Sequence, residues 1–168
     1  DALPICQGRY GVQLFFITSG FVIFLSLEKV EHIWDFVVSR FSRLYPAYLA
    51  AVILTFSVVY LFSLPGREVS LNTAAVNLTM LQAWFEVPLV DGVYWTLPVE
   101  LSFYISICIL AAVKLLPKIE IVSWVWLTIT AFIYLLANRE LIKIHWMVKL
   151  TLPLEYGNLF IAGIMFYK

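Results

Sequence analysis

The sequence predicts an all-α fold, a polytopic bundle of transmembrane helices, and three observations predict it. Of 168 residues, 62% are hydrophobic and 13% charged, against about 45–50% and about 25% in ordinary soluble domains. Mean hydropathy is +0.92. Several uncharged apolar runs approach or exceed the roughly 20 residues that a helix rising about 1.5 Å per residue needs to cross a hydrocarbon core of about 30 Å. Eleven Lys and Arg balance eleven Asp and Glu, so no basic field exists to collect nucleic acid. Cys6 and Cys108 are too few for a disulfide framework.

The elements follow in order. Tyr10 to Leu27 carries no charge and is apolar around nearly its whole circumference, which predicts a first span. Leu44 to Gly66 predicts a second, with Pro46 in its first turn and Leu64-Pro65-Gly66 as its stop. Val69 to Phe85 is uncharged but interrupted by Asn72, Asn77 and Gln82, so it either crosses, re-enters or lies against protein where its amides find partners. Trp95 to Val113 is long enough to cross and carries Glu100; Ile121 to Asn138 predicts a further span with Trp124 and Trp126 near its start; Leu150 to Tyr167 carries Glu155 near one end. Five or six crossings result. The side holding the Glu28 to Arg43 loop has one basic residue more than the other, which makes that loop cytoplasmic. A chain that starts at Asp1 and stops at Lys168, directly after an apolar run, reads as part of one membrane domain truncated at both ends.

Three segments can carry chemistry. In FVVSRFSRLYPAY, Phe36 to Tyr48, the spacing of three places Arg40 and Arg43 on one helical face at a membrane edge. Two guanidinium forks suit a phosphate or pyrophosphate; the plainer alternative is a pair of anchors at the headgroup level. In YWTLPVELSFY, Tyr94 to Tyr104, the residues Thr96, Glu100 and Tyr104 recur every fourth position and form one polar stripe facing the bundle interior. Glu100 is there a proton acceptor, an anchor for another catalytic group, or a structural carboxylate. In GVQLFFITSGF, Gly11 to Phe21, Gln13 puts an amide inside the span, and Ser19 with Gly20 allows a neighbouring backbone to come close. Glu155 is a further carboxylate, interfacial by position, and His32 and His145 read as surface histidines. No Cys or His cluster has metal-ligand spacing, no glycine-rich phosphate loop is present, and Asn77-Leu78-Thr79 fits a glycosylation acceptor only by its letters.

Taken in order, these segments resemble the integral-membrane acyltransferase 3 family, which includes O-antigen and exopolysaccharide O-acetyltransferases. The resemblance rests on GVQLFFITSGF, on Arg40, Arg43, Tyr45 and Pro46, and on Trp95-Thr96-Leu97, Val99-Glu100 and Phe103-Tyr104. It implies about ten spans in a bacterial inner membrane. It also implies transfer of an acyl group, commonly acetyl, from cytoplasmic acyl-CoA as co-substrate to a hydroxyl of a carbohydrate or glycolipid, with no metal. Arg40 and Arg43 then handle the acyl-CoA phosphates, Glu100 supports catalysis, and Gln13, Ser19, Tyr45, Trp95 and Tyr104 are supporting groups. The family's catalytic histidine is expected on a span before the GVQLFF block, so no residue here takes its role, and this chain alone is expected to be inactive. The competing reading is a transporter or channel segment in which Glu100 and Glu155 line a substrate path.

Overall fold

The computed structural model describes residues 4–62, 69–140 and 145–168, with side chains from Tyr10 onward except that of Trp146. The described residues are helical, with no strand among them. The helices are α1 (Pro4–Leu27), α2 (Ile33–Phe62), α3 (Leu71–Asn77), α4 (Thr96–Ala112), α5 (Ile119–Asn138), α6 (Trp146–Thr151) and α7 (Gly157–Tyr167). Four stretches are long and apolar enough to cross a membrane: Tyr10–Leu27, Ile33–Phe62, Gly92–Ala112 and Leu116–Asn138. The chain is therefore an all-helical membrane protein, as its composition predicts.

Three boundaries differ from the sequence reading. The second span begins at Ile33, not Leu44, so the helical face expected to carry Arg40 and Arg43 ahead of the span is continuous with it, and Pro46 lies in the helix interior. Phe36 to Tyr45 contains no helix breaker, and Asp35 in the first turn suits the positive end of the helix dipole. Pro46 removes one backbone donor and crowds the Ser42 carbonyl, yet α2 continues through it to Phe62. At 30 residues α2 is about 45 Å long, more than a hydrocarbon core of about 30 Å, so it overhangs or tilts. The expected stop at Leu64-Pro65-Gly66 lies outside the described residues.

The Val69 to Phe85 run forms only the seven-residue α3 and a series of turns, far too short to cross. Ser70 caps α3 by accepting from the Thr73 N–H at 3.1 Å, and the chain then turns through left-handed Met80 and Glu86 (φ 61° and 56°). Leu150 to Tyr167 is likewise divided into α6, a turn and the 11-residue α7. Pro153 cannot continue the helix, and Glu155 is drawn out to an exposed ion pair with Lys149 at 3.0 Å, whose hydrogen bond raises the lysine pKa.

The chain forms two compact units, residues 1–36 with 102–168, and residues 37–101. In the first, α1 and α7 pack through two glycines. A Cβ at Gly20 would overlap the Phe160 carbonyl, and one at Gly163 would overlap the Ile17 carbonyl and the Phe21 nitrogen. Backbones this close replace side-chain interdigitation with direct van der Waals contact, the usual means of association between helices in lipid. Phe16, Ile23, Phe160 and Ile164 fill the flanks and are essentially fully buried. Phe160 stacks on Phe103, with centroids 4.1 Å apart, and meets Phe16 at 5.0 Å. At the far end the Tyr167 hydroxyl donates to Glu28 Oε2 at 2.5 Å and Lys168 Nζ to Oε1 at 3.3 Å. These two donors hold the Glu28 carboxyl below the usual carboxylate range.

Gly163→Leu should lower the thermal midpoint of the detergent-solubilised protein sharply, by the equivalent of roughly 3 kcal/mol or more, because backbone must move to admit the side chain. Gly11→Ala, where a Cβ meets nothing within 4 Å, should be neutral or slightly stabilising. The Glu28 tether should be fully formed above the ordinary carboxylate range and lost as pH falls through its depressed folded-state value. A loss of hydrogen-exchange protection at the end of α7 under acid, measured relative to the intrinsic rate at each pH and absent as a pH effect in Glu28→Gln, would report it.

Candidate functional site

The site is built in the unit formed by residues 37–101. α2 buries a stripe of Arg40, Tyr48, Val52 and Val59. Tyr48 follows Arg40 by two turns, about 12 Å along the helix, and the polar groups of this face hold the irregular segment that follows α2. The Tyr45 hydroxyl donates to the Leu78 carbonyl at 3.0 Å and the Tyr48 hydroxyl to the Asn77 carbonyl at 2.7 Å. Thr55 Oγ1 and the Tyr94 hydroxyl share a hydrogen bond of 3.0 Å. Met80 and Val90 close an apolar cluster with Tyr48 and Val52.

Asn77 is the pivot of that segment. It has no solvent exposure, and its Nδ2 donates to the Thr73 carbonyl at 2.8 Å and the Pro88 carbonyl at 2.9 Å, while Oδ1 accepts from the Val90 N–H at 3.2 Å. One amide thus supplies the partners that non-helical backbone needs where water is scarce. This rules out Asn77 as an accessible glycosylation acceptor in the folded chain. Gln82, also without exposure, has its amide near the Tyr48 hydroxyl. Asp91 then caps a 3₁₀ turn, Gly92–Trp95, accepting from the Val93 N–H at 3.2 Å. That turn feeds into α4 and so sets where Glu100 stands.

Arg40 (6% exposed) and Glu100 (5%) are the two charged side chains that are buried among the described residues, and both belong to this unit. Each has polar or electrostatic partners, as burial of a charge demands. Arg43 is exposed, so the two arginines do not share one environment. A spacing of three turns the second side chain about 60° away from the first around the helix, which here is enough to carry Arg43 out to the surface. Tyr45 is half-buried and stacks on Phe41 at 4.5 Å, while Trp95, at 36%, lies at the edge of exposure. Of the stripe on α4, Glu100 and Tyr104 are buried and Thr96 half-buried.

Gln13, Ser19 and Tyr104 belong to the other unit. Gln13 is exposed on α1, Ser19 is half-buried beside the glycine contact, and Tyr104 is buried against Phe36, edge to face at 6.0 Å. His32 is exposed, and His145 is an exposed N-cap whose Nδ1 accepts from the Met147 N–H at 3.3 Å. No group of three or more metal-ligating side chains occurs among the described residues. Sequence reasoning offered partners for the Asn77 amide as one of three alternatives and overlooked Tyr48 as the group that meets its carbonyl. The signal available was an amide in an uncharged run, which in apolar surroundings needs dedicated partners.

Helices of this kind holding a buried arginine and a buried glutamate define a polytopic membrane protein with ionic groups at its interior. The acyltransferase 3 family model, described as an acyltransferase domain, matches residues 6–168, and the chain belongs to that family. Acyltransferase MdmB of Streptomyces mycarofaciens is 26% identical over 106 residues, which cover 59% of this chain and 27% of that protein. The chain thus aligns with about a quarter of that relative's length. No solved structure matches.

Asn77→Ala should destabilise the protein by roughly 2–4 kcal/mol, since it strands a buried N–H and two carbonyls. Tyr48→Phe, which removes one hydroxyl and keeps the ring, should cost about 1 kcal/mol. Thermal unfolding of the two variants side by side in detergent checks the ranking.

Proposed function

We propose that this chain is part of a membrane-bound acyltransferase of the bacterial inner membrane, moving an acyl group, acetyl in the first instance, from acyl-CoA to a hydroxyl of a cell-envelope or exported carbohydrate. One observation carries the reading. The two buried charged side chains among the described residues, Arg40 and Glu100, fall in two of the three segments that carry the family resemblance. A buried charge in an apolar protein is costly and is retained where it serves a site.

In acyl transfer a hydroxyl oxygen attacks the thioester carbonyl, its proton passes to a base, and the thiol of coenzyme A leaves. A guanidinium offers planar, bidentate donation to the phosphates of the donor. Arg40 meets them from inside the unit and Arg43 from the solvent side. Glu100 is a positioning or proton-accepting group, with Tyr45 and Trp95 as supporting groups of the same unit. Neither described histidine suits the role of base, because His32 is solvated and the Nδ1 of His145 is occupied as a helix cap.

Membranes carrying the protein expressed from its complete reading frame should transfer label from acetyl-CoA to envelope carbohydrate. Arg40→Lys, which keeps the charge but loses the fork, should raise the KM for acetyl-CoA about tenfold or more with the protein still inserted; Arg43→Lys should have the smaller effect, because its exposed guanidinium is screened by water. Absence of label with acetyl and longer acyl donors alike, in membranes that contain the protein, would refute the transferase reading.

A further inference from the structure

Where Glu100 stands depends on how α4 begins. Glu100 is the fifth residue of α4, little more than one turn from its start at Thr96. Each helical residue turns the side chain by about 100° and advances it about 1.5 Å, so a slip of one residue at the start would swing the carboxylate off its buried face. The backbone ahead of α4 consists of turns and the short 3₁₀ turn Gly92–Trp95. No long helix carries the register into α4, and side chains must set it.

Tyr94, in that turn, has two ties to α2, both inside the unit of residues 37–101. Its hydroxyl shares the 3.0 Å hydrogen bond with Thr55 Oγ1, and its ring meets Tyr48 edge to face with centroids 5.4 Å apart. The Thr55 bond departs from the habit of this chain. The hydroxyls of Thr18, Ser26, Ser106 and Thr128 each donate to the carbonyl one helical turn back, at 2.7 to 2.9 Å, the usual arrangement in apolar helices. Thr55 Oγ1 reaches across to another element. Leu97, in the first turn of α4, packs on the cluster of Tyr48, Val52, Met80 and Val90, but apolar contact is non-directional. A hydrogen bond weakens steeply when bent, so the Tyr94 bond fixes what Leu97 alone would let slide.

We propose that Tyr94 is a positioning residue for acyl transfer: through Thr55 and Tyr48 it holds the start of α4 against α2 and so sets where the Glu100 carboxylate stands. The role rests on the acyltransferase reading given above. Arg40 and Arg43 lie on α2 itself, so loosening Tyr94 leaves the groups assigned to the donor phosphates in place and moves α4 alone. Misplacing a catalytic group by about 1 Å costs up to about a hundredfold in rate. The signature of the role is therefore a fall in kcat with the KM for the donor little changed. Tyr94 and Thr55 are both half-buried, so either hydroxyl can turn to water when the other is removed, and the cost in stability is small.

The test follows label from acetyl-CoA to envelope carbohydrate in membranes carrying the protein expressed from its complete reading frame, with rates normalised to inserted protein. Tyr94→Phe, which keeps the ring and loses the hydroxyl, should lower kcat about tenfold, with the KM for acetyl-CoA within about twofold of wild type and the thermal midpoint close to it. Thr55→Val should do the same, and the double variant should be no worse than either alone, because the two hydroxyls act as one unit. Thr55→Ser, which keeps a hydroxyl at that position, should retain most of kcat. Wild-type kcat in Tyr94→Phe, additive losses in the double variant, or activity lost only in step with inserted protein would overturn the role of Tyr94 and leave the transferase reading standing. A wild-type protein that transfers no label from any acyl donor would refute both.

Discussion

A polar group surrounded by hydrocarbon has no water to fall back on, and this constraint governs both units of the chain. Where backbone leaves the helix between α3 and α4, Asn77 and the hydroxyls of Tyr45 and Tyr48 supply the missing partners. Where the chain stays helical, exposed and half-buried hydroxyls turn back to their own carbonyls. The same constraint makes the burial of Arg40 and Glu100 informative, since ionic groups inside an apolar chain need partners.

The converse of that constraint shapes the α1–α7 contact. Between two apolar helices in lipid the hydrophobic effect offers little, so association depends on how close the atoms come. Gly20 and Gly163 each face backbone of the other helix, and the aromatic rings of Phe16 and Phe160 occupy the flanks. Glu28, Tyr167 and Lys168 then fix the register at the end of the pair with exposed polar contacts, which act as a latch beside a contact maintained by packing.

Much of this is legible in the sequence, and the illegible parts have definite causes. Composition and uncharged runs define the helical membrane class. Ser19-Gly20 marks a close helix approach, and Glu100 stands out because an acid in an apolar run is costly. The start of α2 is hidden because Phe36 to Tyr45 reads equally as an amphipathic edge or as the continuation of a span, and only tertiary burial of Arg40 decides. The different environments of Arg40 and Arg43 depend on what α2 packs against, which spacing alone does not contain. The break at Pro153 is visible in the sequence, yet the apolar residues on either side mask it. Asn77 looks like an interruption of a span until its three partners, 4 to 13 residues away, are in place.

The most direct measurement separates turnover from folding at Glu100, in the protein expressed from its complete reading frame. Glu100→Gln keeps the shape of the side chain, removes its charge and exchanges one acceptor oxygen for a donor amide. A fall in kcat of about a hundredfold or more, with the thermal midpoint and insertion level close to wild type, is the result expected of a carboxylate that serves acyl transfer. Wild-type kcat at saturating donor and acceptor, alongside a lowered thermal midpoint, would show instead that Glu100 is buried for structure alone.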